Sequence, residues 1–405
     1  MESEKRSISA IPNTRIEWMD VFKGIMIVLV VVGHATGIFN GWIYQFHMAA
    51  FFFASGYLSN VEKKSGLSSA VKKALTIYLP FVTLSIVGIF ANWIMNRFGV
   101  YDILFGSPFV GAKTAISELF SNGRLYVQYW GTFWFLVALF GIELLQLVLF
   151  QLCGKRLNAV YFLICVGLFF YGYWMVLNSV TPKLGIFELD LIFIGQGYFN
   201  AGLFLKKINI KDYINTNKAA GGIVVLIAAV IASLWGNLNS IVVDYPSRHF
   251  SHPFGEFFVA FASIYIVYFV SKLISGYVKP LKSVLALLGK NSLGIMVLHF
   301  IFFKLFMVAL YKGGLATREQ ITNVILPSEL QIVGYWLPMA IIAILGSLLI
   351  WILLGKIPGI KFVLGQDAKT NAAICRRVEA NRFVIAAGTK LSVRQEQQRR
   401  QARRE

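Results

Sequence analysis

The chain is predicted to be an all-α, polytopic membrane protein with about ten transmembrane helices and both termini in the cytoplasm. Of its 405 residues, 57% are hydrophobic and only 14% are charged. The mean hydropathy is +0.67. An ordinary soluble domain cannot bury so much apolar sequence, so this composition excludes that class. The apolar runs predict the helices, and the Lys and Arg residues between them predict the orientation.

Ten segments approach the roughly 20 residues that a helix needs to cross a bilayer. They lie at 22–39, 42–59, 74–96, 131–152, 158–177, 184–205, 219–236, 254–275, 288–310 and 332–355. The first is not predicted to be a cleaved signal peptide, because no small-residue cleavage site follows it and the second segment begins at once. We therefore expect an N-terminal cytoplasmic segment at 1–21, a membrane domain at 22–355 and a basic cytoplasmic tail at 356–405.

Basic residues lie before or at the start of the first segment and then follow every second segment. They are Lys5, Arg6, Arg15 and Lys23; Lys63, Lys64, Lys72 and Lys73; Lys155 and Arg156; Lys206, Lys207, Lys211 and Lys218; Lys279 and Lys282; and the tail. The alternate loops, 97–130, 178–183, 237–253 and 311–331, carry fewer positive charges. An even number of spans with both termini in the cytoplasm satisfies every loop.

The net charge of +19 is thus concentrated in predicted cytoplasmic loops and the tail. This distribution favours anionic lipid as the partner of the basic residues and argues against nucleic acid. Cys153, Cys165 and Cys375 are widely spaced. They form no metal-binding or redox pattern, and no metal site is predicted.

The first segment carries Lys23 and His34, with the ten apolar residues GIMIVLVVVG between them. An ionisable side chain inside a bilayer costs roughly 2.5–3.5 kcal/mol or more and usually marks a functional path. Eleven helical positions rise roughly 16 Å, about half of the hydrocarbon thickness. Lys23 is therefore expected at one membrane surface and His34 in the interior. The pair would suit an elongated ligand with one anionic end and one reactive end.

A short connection near Gly37–Gly41 is predicted to join the first two segments into an antiparallel hairpin. His34 and His47 lie at similar distances from this turn, so both imidazoles are expected at similar depth in the outer half of the membrane. A neutral histidine there can act as a general base or can simply hydrogen-bond across helices. We interpret His34 and His47 as catalytic candidates, and sequence alone does not decide whether they face each other.

Three further ionisable residues are candidates for the site. Asp20 lies one turn before Lys23 and either orients that lysine or forms a simple ion pair with it. His299, in the ninth segment, lines the site or packs between helices. Glu143 lies deep in the fourth segment, where a carboxylate needs a partner, and a site histidine is one candidate.

The stretch DVFKGIMIVLVVVGH at 20–34, followed by YQFHMAAFFFASGY at 44–57, resembles the opening of the integral-membrane acyltransferase-3 family, and most closely its fucose 4-O-acetylase-like branch. WGTFWFLVALF at 130–140 and LGKNSLGIMVLHF at 288–300 resemble two later elements of that family. The characteristic pair is a basic residue, most often arginine, followed by a histidine. Here the basic residue is Lys23, and Ala49 stands where related sequences often have proline.

The resemblance implies transfer of an acyl group, commonly acetyl, from cytoplasmic acyl-CoA to a carbohydrate hydroxyl at or beyond the membrane. It implies that Lys23, with Asp20 nearby, binds the anionic end of acetyl-CoA and that His34 is the general base. Acetyl-CoA would be a substrate, with no permanently bound cofactor. The acceptor would be an exopolysaccharide, an O-antigen or another envelope glycan, and the location the bacterial cytoplasmic membrane.

Two other functions suit the same helices. A transporter or flippase of lipid-linked sugar would use buried histidines without any covalent step. A non-catalytic assembly or sensor protein would keep the helices without turnover. Measurement of acyl-CoA turnover distinguishes the enzyme from both.

Overall fold

A computed structural model describes residues 16–60, 66–122, 128–207, 219–323 and 325–381. In chain order the helices are α1 (Glu17–Ala35), α2 (Asn40–Ile43), α3 (His47–Leu58), α4 (Gly66–Lys73), α5 (Leu79–Arg97), α6 (Tyr101–Phe105), α7 (Ala112–Asn122), α8 (Trp134–Leu152), α9 (Ala159–Leu177), α10 (Leu189–Lys207), α11 (Ala219–Leu238), α12 (Pro253–Tyr277), α13 (Lys279–Lys290), α14 (Ser292–Lys312), α15 (Arg318–Thr322), α16 (Ser328–Ile332), α17 (Trp336–Leu354), α18 (Pro358–Val363) and α19 (368–381).

A π-helical turn, Ala74–Tyr78, joins α4 to α5, and a 3₁₀ helix, Gln128–Phe133, precedes α8. The described strands form two short antiparallel hairpins. The first pairs β1 (Lys183–Leu184) with β2 (Phe187–Glu188), and the second pairs β3 (Val243–Asp244) with β4 (His249–Phe250). The predicted all-α membrane class is confirmed.

Within the described residues, seven helices are long and apolar enough to cross a bilayer. They are Glu17–Ala35, Gly66–Arg97, Gly131–Leu152, Ala159–Leu177, Gly255–Tyr277, Ser292–Lys312 and Trp336–Leu354. The other three predicted segments correspond to α3, α10 and α11. Helix α3 has only 12 residues, and α10 carries buried polar side chains at Gln196 and Asn200. The number of about ten spans stays a prediction.

The first two helices differ from their predicted bounds. Helix α1 begins at Glu17 and ends at Ala35, whereas the sequence predicts 22–39. Met19 and Asp20 are buried in the bundle, and this packing extends the helix towards the N-terminus. The following connection, 36–46, contains the short helix α2 and is longer than the predicted turn. His34 therefore lies in the last turn of α1, and His47 is the first residue of α3.

Glycines allow two pairs of helices to approach closely. Where α1 crosses α13, a Cβ atom at Gly24 would collide with the backbone of Leu285, and one at Gly289 would collide with the Asp20 carbonyl group. Where α3 crosses α10, Gly56 lies against the Phe199 backbone, and Gly202 lies against the Phe53 backbone. Small residues at such crossings let helix backbones approach and pack in a membrane.

The basic loops predicted to be cytoplasmic contact one another in the structure. Lys206 donates to the Ser59 carbonyl oxygen at 2.7 Å and to Asn60 Oδ1 at 2.9 Å. Lys207 donates to the Leu157 carbonyl oxygen at 2.5 Å. Lys282 pairs with Glu17 at 2.9 Å. The loop ends at 59–60, 157 and 206–207 therefore lie together, as the alternation of charge predicts.

Replacement of Gly202 by alanine is expected to lower the free energy of unfolding by about 1–3 kcal/mol, because the added methyl group forces α3 and α10 apart. Thermal unfolding in detergent would measure this change. Gly167→Ala is the matched control, because Gly167 is helical and no atom lies within 4 Å of the position that an added Cβ atom would take. That control should be neutral or more stable by up to about 1 kcal/mol. Equal stability of the two variants would contradict the close crossing.

Candidate active site

His34 is the centre of a cluster of rings at the C-terminal end of α1. Its Nδ1 atom lies 3.3 Å from Tyr44 Oη. Its imidazole ring stacks on that of His299, with ring centroids 5.5 Å apart and an interplanar angle of 17°. Phe300 packs against the same imidazole at 5.0 Å. Two separate segments, the connection after α1 and helix α14, therefore hold the His34 ring in one orientation.

His47 and His299 each use one ring nitrogen in the same way. His47 Nδ1 lies 3.0 Å from the Ile43 carbonyl oxygen, and His299 Nδ1 lies 3.1 Å from the Ile295 carbonyl oxygen. A carbonyl oxygen only accepts, so Nδ1 is the protonated donor in both residues. The neutral rings then carry their lone pairs on Nε2. His299 Nε2 is buried and has no hydrogen-bond partner within the described part of the chain.

A cavity of about 490 Å³ brings the two candidate catalytic histidines together. His34, Tyr44 and His47 line one side, and Tyr44 lies between the two imidazoles, its ring centroid 4.7 Å from that of His47. The sequence left open whether these histidines face each other, and in the structure they share this cavity. The other wall residues are mostly apolar: Val30, Met48, Phe51, Trp134, Phe135, Val243, Met296, Phe300 and Ile325.

The start of the fourth predicted segment and residues from two predicted outer loops complete the cavity. Gly131 and Thr132 come from the 3₁₀ helix before α8, and Thr132 Oγ1 donates to the Met296 carbonyl oxygen at 3.1 Å. Ile325 follows α15. The β3–β4 hairpin contributes residues 243–247 and is tied to the α1–α3 connection, since the Val243 amide donates to the Tyr44 carbonyl oxygen at 3.1 Å.

Arg248 anchors the β3–β4 hairpin to the start of α10. Its guanidinium contacts both carboxylate oxygens of Asp190, at 2.5 and 3.3 Å, and Glu188 at 3.4 Å. Burial alone would lower the pKa of Arg248, but the hydrogen bonds and negative charges of Asp190 and Glu188 outweigh it and raise that pKa. Asp190 is fully buried, so this bidentate ion pair fixes the hairpin over the cavity.

Lys23 and Asp20 lie farther along α1. They form an ion pair at 3.4 Å, with Asp20 buried and the Lys23 side chain 21% exposed. Lys23 and His34 are eleven positions apart on one continuous helix, which places them on the same face and about 16 Å apart along the axis. Lys23 does not line the cavity. The buried side chains of Ile27 and Val31 lie between the two residues along α1.

Glu143 does not line the histidine cavity. Its carboxylate forms an ion pair with Lys73, at the end of α4. The sequence assigns Lys73 to a cytoplasmic loop, but α4, the π-helical turn and α5 form one continuous helical segment that places Lys73 beside α8. A lysine, and not a histidine, therefore provides the partner that this buried carboxylate needs.

Lys304, a buried residue of α14, was not a candidate from the sequence. Its ammonium group donates to the carbonyl oxygens of Leu104, Ile321, Thr322 and Asn323 at 2.5–3.4 Å. These carbonyl groups lie at the ends of the short helices α6 and α15, where unpaired carbonyl groups attract a cation. Lys304 therefore has a structural role in holding the loops beside the cavity.

Tyr44 and Asp244 are the cavity residues that the sequence analysis missed. Tyr44 lies three residues before His47 in the second predicted segment, and this spacing could have singled it out. Asp244 is an isolated acidic residue in a predicted outer loop, and only the β3–β4 pairing brings it to the cavity. Within the described residues, no group of three or more His, Cys, Asp or Glu side chains is arranged to hold a metal ion.

Comparison with known proteins identifies the family. Residues 16–355 match the acyltransferase-3 family, whose description is an acyltransferase domain. Comparison with curated proteins and with solved structures gives no match. The family match covers far more than half of the chain and contains all seven helices that are long and apolar enough to span a membrane. The chain therefore belongs to the acyltransferase-3 family and is a multi-pass membrane acyltransferase.

Proposed function

We propose that the protein transfers an acetyl group from cytoplasmic acetyl-CoA to a hydroxyl group of an envelope carbohydrate, with His34 as general base. The cavity shared by His34, Tyr44 and His47 is the observation that carries this proposal. The opening motif also resembles the fucose 4-O-acetylase-like branch, which favours a carbohydrate acceptor such as an exopolysaccharide or O-antigen. We place the enzyme in the bacterial cytoplasmic membrane.

The proposed reaction is a direct transfer. The acceptor hydroxyl oxygen attacks the thioester carbon while His34 Nε2 takes the hydroxyl proton. The carbon–sulfur bond then breaks, and the CoA sulfur takes the proton from the imidazolium. The products are the acetyl ester and free CoA thiol. In this mechanism His34 carries its proton on Nδ1 and donates it to Tyr44 Oη, 3.3 Å away, so that Nε2 is the basic nitrogen. His47, whose Nε2 is also an acceptor, orients the incoming hydroxyl group from the other side of Tyr44.

The donor is proposed to approach from the opposite end of α1. Lys23 attracts the phosphate groups of acetyl-CoA, and Asp20 orients its ammonium group. The pantetheine arm extends along the same face of α1 towards His34, a distance of about 16 Å. Ile27 and Val31 fill this path in the structure, so donor entry requires the neighbouring helices to separate from α1.

Replacement of His34 by alanine is expected to lower acceptor-stimulated CoA release by about 10²- to 10⁴-fold, because the general base is removed. The assay would follow free CoA thiol from acetyl-CoA, with purified protein in lipid and a crude glycan extract as acceptor. His252→Asn is the matched control, because His252 lies outside the cavity and asparagine can also cap the start of α12.

Equal turnover by wild type and His34→Ala would exclude His34 as the base. Absence of any acetyl-CoA turnover by the wild type would exclude the acyl donor and favour a transporter of lipid-linked sugar.

Replacement of Tyr44 by phenylalanine removes the hydroxyl that contacts His34 but keeps the ring that packs on His47. We expect kcat to fall about 5- to 10-fold, the equivalent of one ordinary hydrogen bond, while KM for acetyl-CoA stays unchanged. Tyr277→Phe is the control, since Tyr277 is 83% exposed. A loss of stability without a specific fall in kcat would show that Tyr44 supports only the packing.

Replacement of Lys23 by methionine is expected to raise KM for acetyl-CoA about tenfold or more, because a charged hydrogen-bond donor to phosphate is lost. Lys23→Arg should keep a low KM, since arginine binds phosphate at least as well. Lys282→Met removes the same charge from the same end of the protein and controls for general electrostatic attraction. Equal KM values in Lys23→Met and wild type would contradict the proposed donor site.

A further inference from the structure

A second cavity, which we name the outer vestibule, lies beside the histidine cavity. It has a volume of about 570 Å³ and is lined by Asn40, Tyr44, Val242, Asp244, Ser247, Arg248 and His249. Tyr44, Asp244 and Ser247 line both cavities. The vestibule therefore adjoins the histidine cavity, and Tyr44 marks the boundary between them.

The two cavities differ in chemistry. The histidine cavity has mostly apolar walls beyond His34, Tyr44 and His47. Six of the seven residues that line the vestibule are polar, and they present a carboxylate, a guanidinium, an imidazole, an amide and two hydroxyl groups. A polyhydroxylated ligand loses hydrogen bonds to water when it binds, and this set of donors and acceptors can replace them.

Asp244 is the residue of the vestibule best placed to bind hydroxyl groups. Ser247 Oγ donates to its Oδ2 at 2.6 Å, which holds the carboxylate in position. No hydrogen bond to Asp244 Oδ1 is found among the residues that the structure describes. Asp244 pairs with His249 across the β3–β4 ladder, and Val243 is hydrogen-bonded to Tyr44. The carboxylate is therefore rigidly connected to the residue that contacts the proposed base.

The charge around the vestibule favours an uncharged ligand. Arg248 is the cationic side chain of its wall, and it is already paired with Asp190 and Glu188. Lys183 is the cross-strand neighbour of Glu188. Asp244 is the acidic side chain of the vestibule wall, and the charge of Arg248 is already balanced by Asp190 and Glu188, so the vestibule disfavours an anionic ligand.

We propose that the outer vestibule is the acceptor subsite and that it selects a neutral sugar, whose vicinal hydroxyl groups bind to Asp244 and Ser247. This inference rests on the proposed acyl transfer, to which it adds the class of sugar and the side of entry. The sugar enters from the predicted outer face, and a hydroxyl group of the bound residue passes Tyr44 to reach His34. A uronic acid or a phosphorylated sugar is disfavoured by Asp244 and by the balanced charge of Arg248.

The test measures binding separately from turnover. Saturation-transfer-difference NMR would be recorded on the full chain in lipid nanodiscs with the methyl glycosides of glucose, galactose, mannose, fucose and rhamnose, and with methyl glucuronide. At least one neutral glycoside should bind to the wild type, and methyl glucuronide should not. Asp244→Asn should weaken the binding of neutral glycosides about tenfold or more, because a charged hydrogen-bond acceptor is lost. Asp102→Asn removes an exposed carboxylate away from both cavities and should bind like the wild type.

His249→Trp provides a second variant in case Asp244→Asn does not fold. His249 is an exposed residue of the vestibule wall, so a bulky indole there blocks the space without disturbing the core. Neutral glycoside binding should be lost in this variant while the thermal unfolding temperature stays that of the wild type. In the CoA-release assay, both variants should raise KM for the acceptor and keep KM for acetyl-CoA within about twofold.

The outcomes separate the two proposals. Binding of a neutral glycoside that depends on Asp244, without any release of CoA by the wild type, would support the subsite and overturn the acyl transfer. Turnover by the wild type with unchanged acceptor KM in Asp244→Asn and His249→Trp would overturn the subsite alone. The subsite is also overturned if the wild type binds no neutral glycoside, or if it binds methyl glucuronide as well as the neutral sugars.

Discussion

The close crossing of α1 and α13 is the constraint on which the geometry of the site depends. Gly24 and Gly289 let the two backbones touch. Asp20 is buried at that contact, where its backbone carbonyl group lies against Gly289. The crossing fixes the axial position of α1 near Lys23, and a continuous helix transmits this position to His34, three turns away. A shift of α1 at the glycines would therefore move both the proposed phosphate-binding residue and the proposed base.

At its other end, α1 is held by side chains and not by backbone contacts. The His34 ring contacts Tyr44, His299 and Phe300, which come from the following connection and from α14. The difference suits the proposed roles. A backbone crossing provides rigidity with little empty space, whereas the ring of a proposed base needs an open side for its substrate. Packing His34 on two faces and leaving it at the edge of a cavity satisfies both needs.

Much of this arrangement could be predicted from local sequence. Lys23 and His34 stand out because ionisable residues are rare in an apolar helix, and their spacing along α1 follows from helix geometry alone. The partner of Glu143 could not be predicted in this way. It depends on the path of the chain through the π-helical turn, which brings Lys73 beside α8. The bounds of α1 were wrong for a related reason, since Asp20 is polar in sequence but buried by contact with Gly289.

The outer half of the site was the least predictable part. Asp244 and Ser247 are ordinary loop residues until β3 pairs with β4. The hairpin is held over the cavity by Arg248, which reaches Asp190 and Glu188 far earlier in the chain, and by the bond from Val243 to Tyr44. Local sequence patterns do not indicate a contact between residues so far apart in the chain. A resemblance based on the opening motif therefore identifies the proposed base and the donor side but not the acceptor side.

A membrane acyltransferase that uses a cytoplasmic donor and an outer acceptor must hold two substrates that never share a compartment. The structure separates the relevant residues accordingly, with Lys23 and Asp20 towards the basic end and Asp244 at the opposite, predicted outer end. Between them, buried Ile27 and Val31 close the direct path along α1. A permanently open path would let water reach the thioester and would leak small solutes. A packed α1 face that separates only when the donor binds would protect both the thioester and the membrane, so the closed path is a functional requirement of such a reaction and not an obstacle to it.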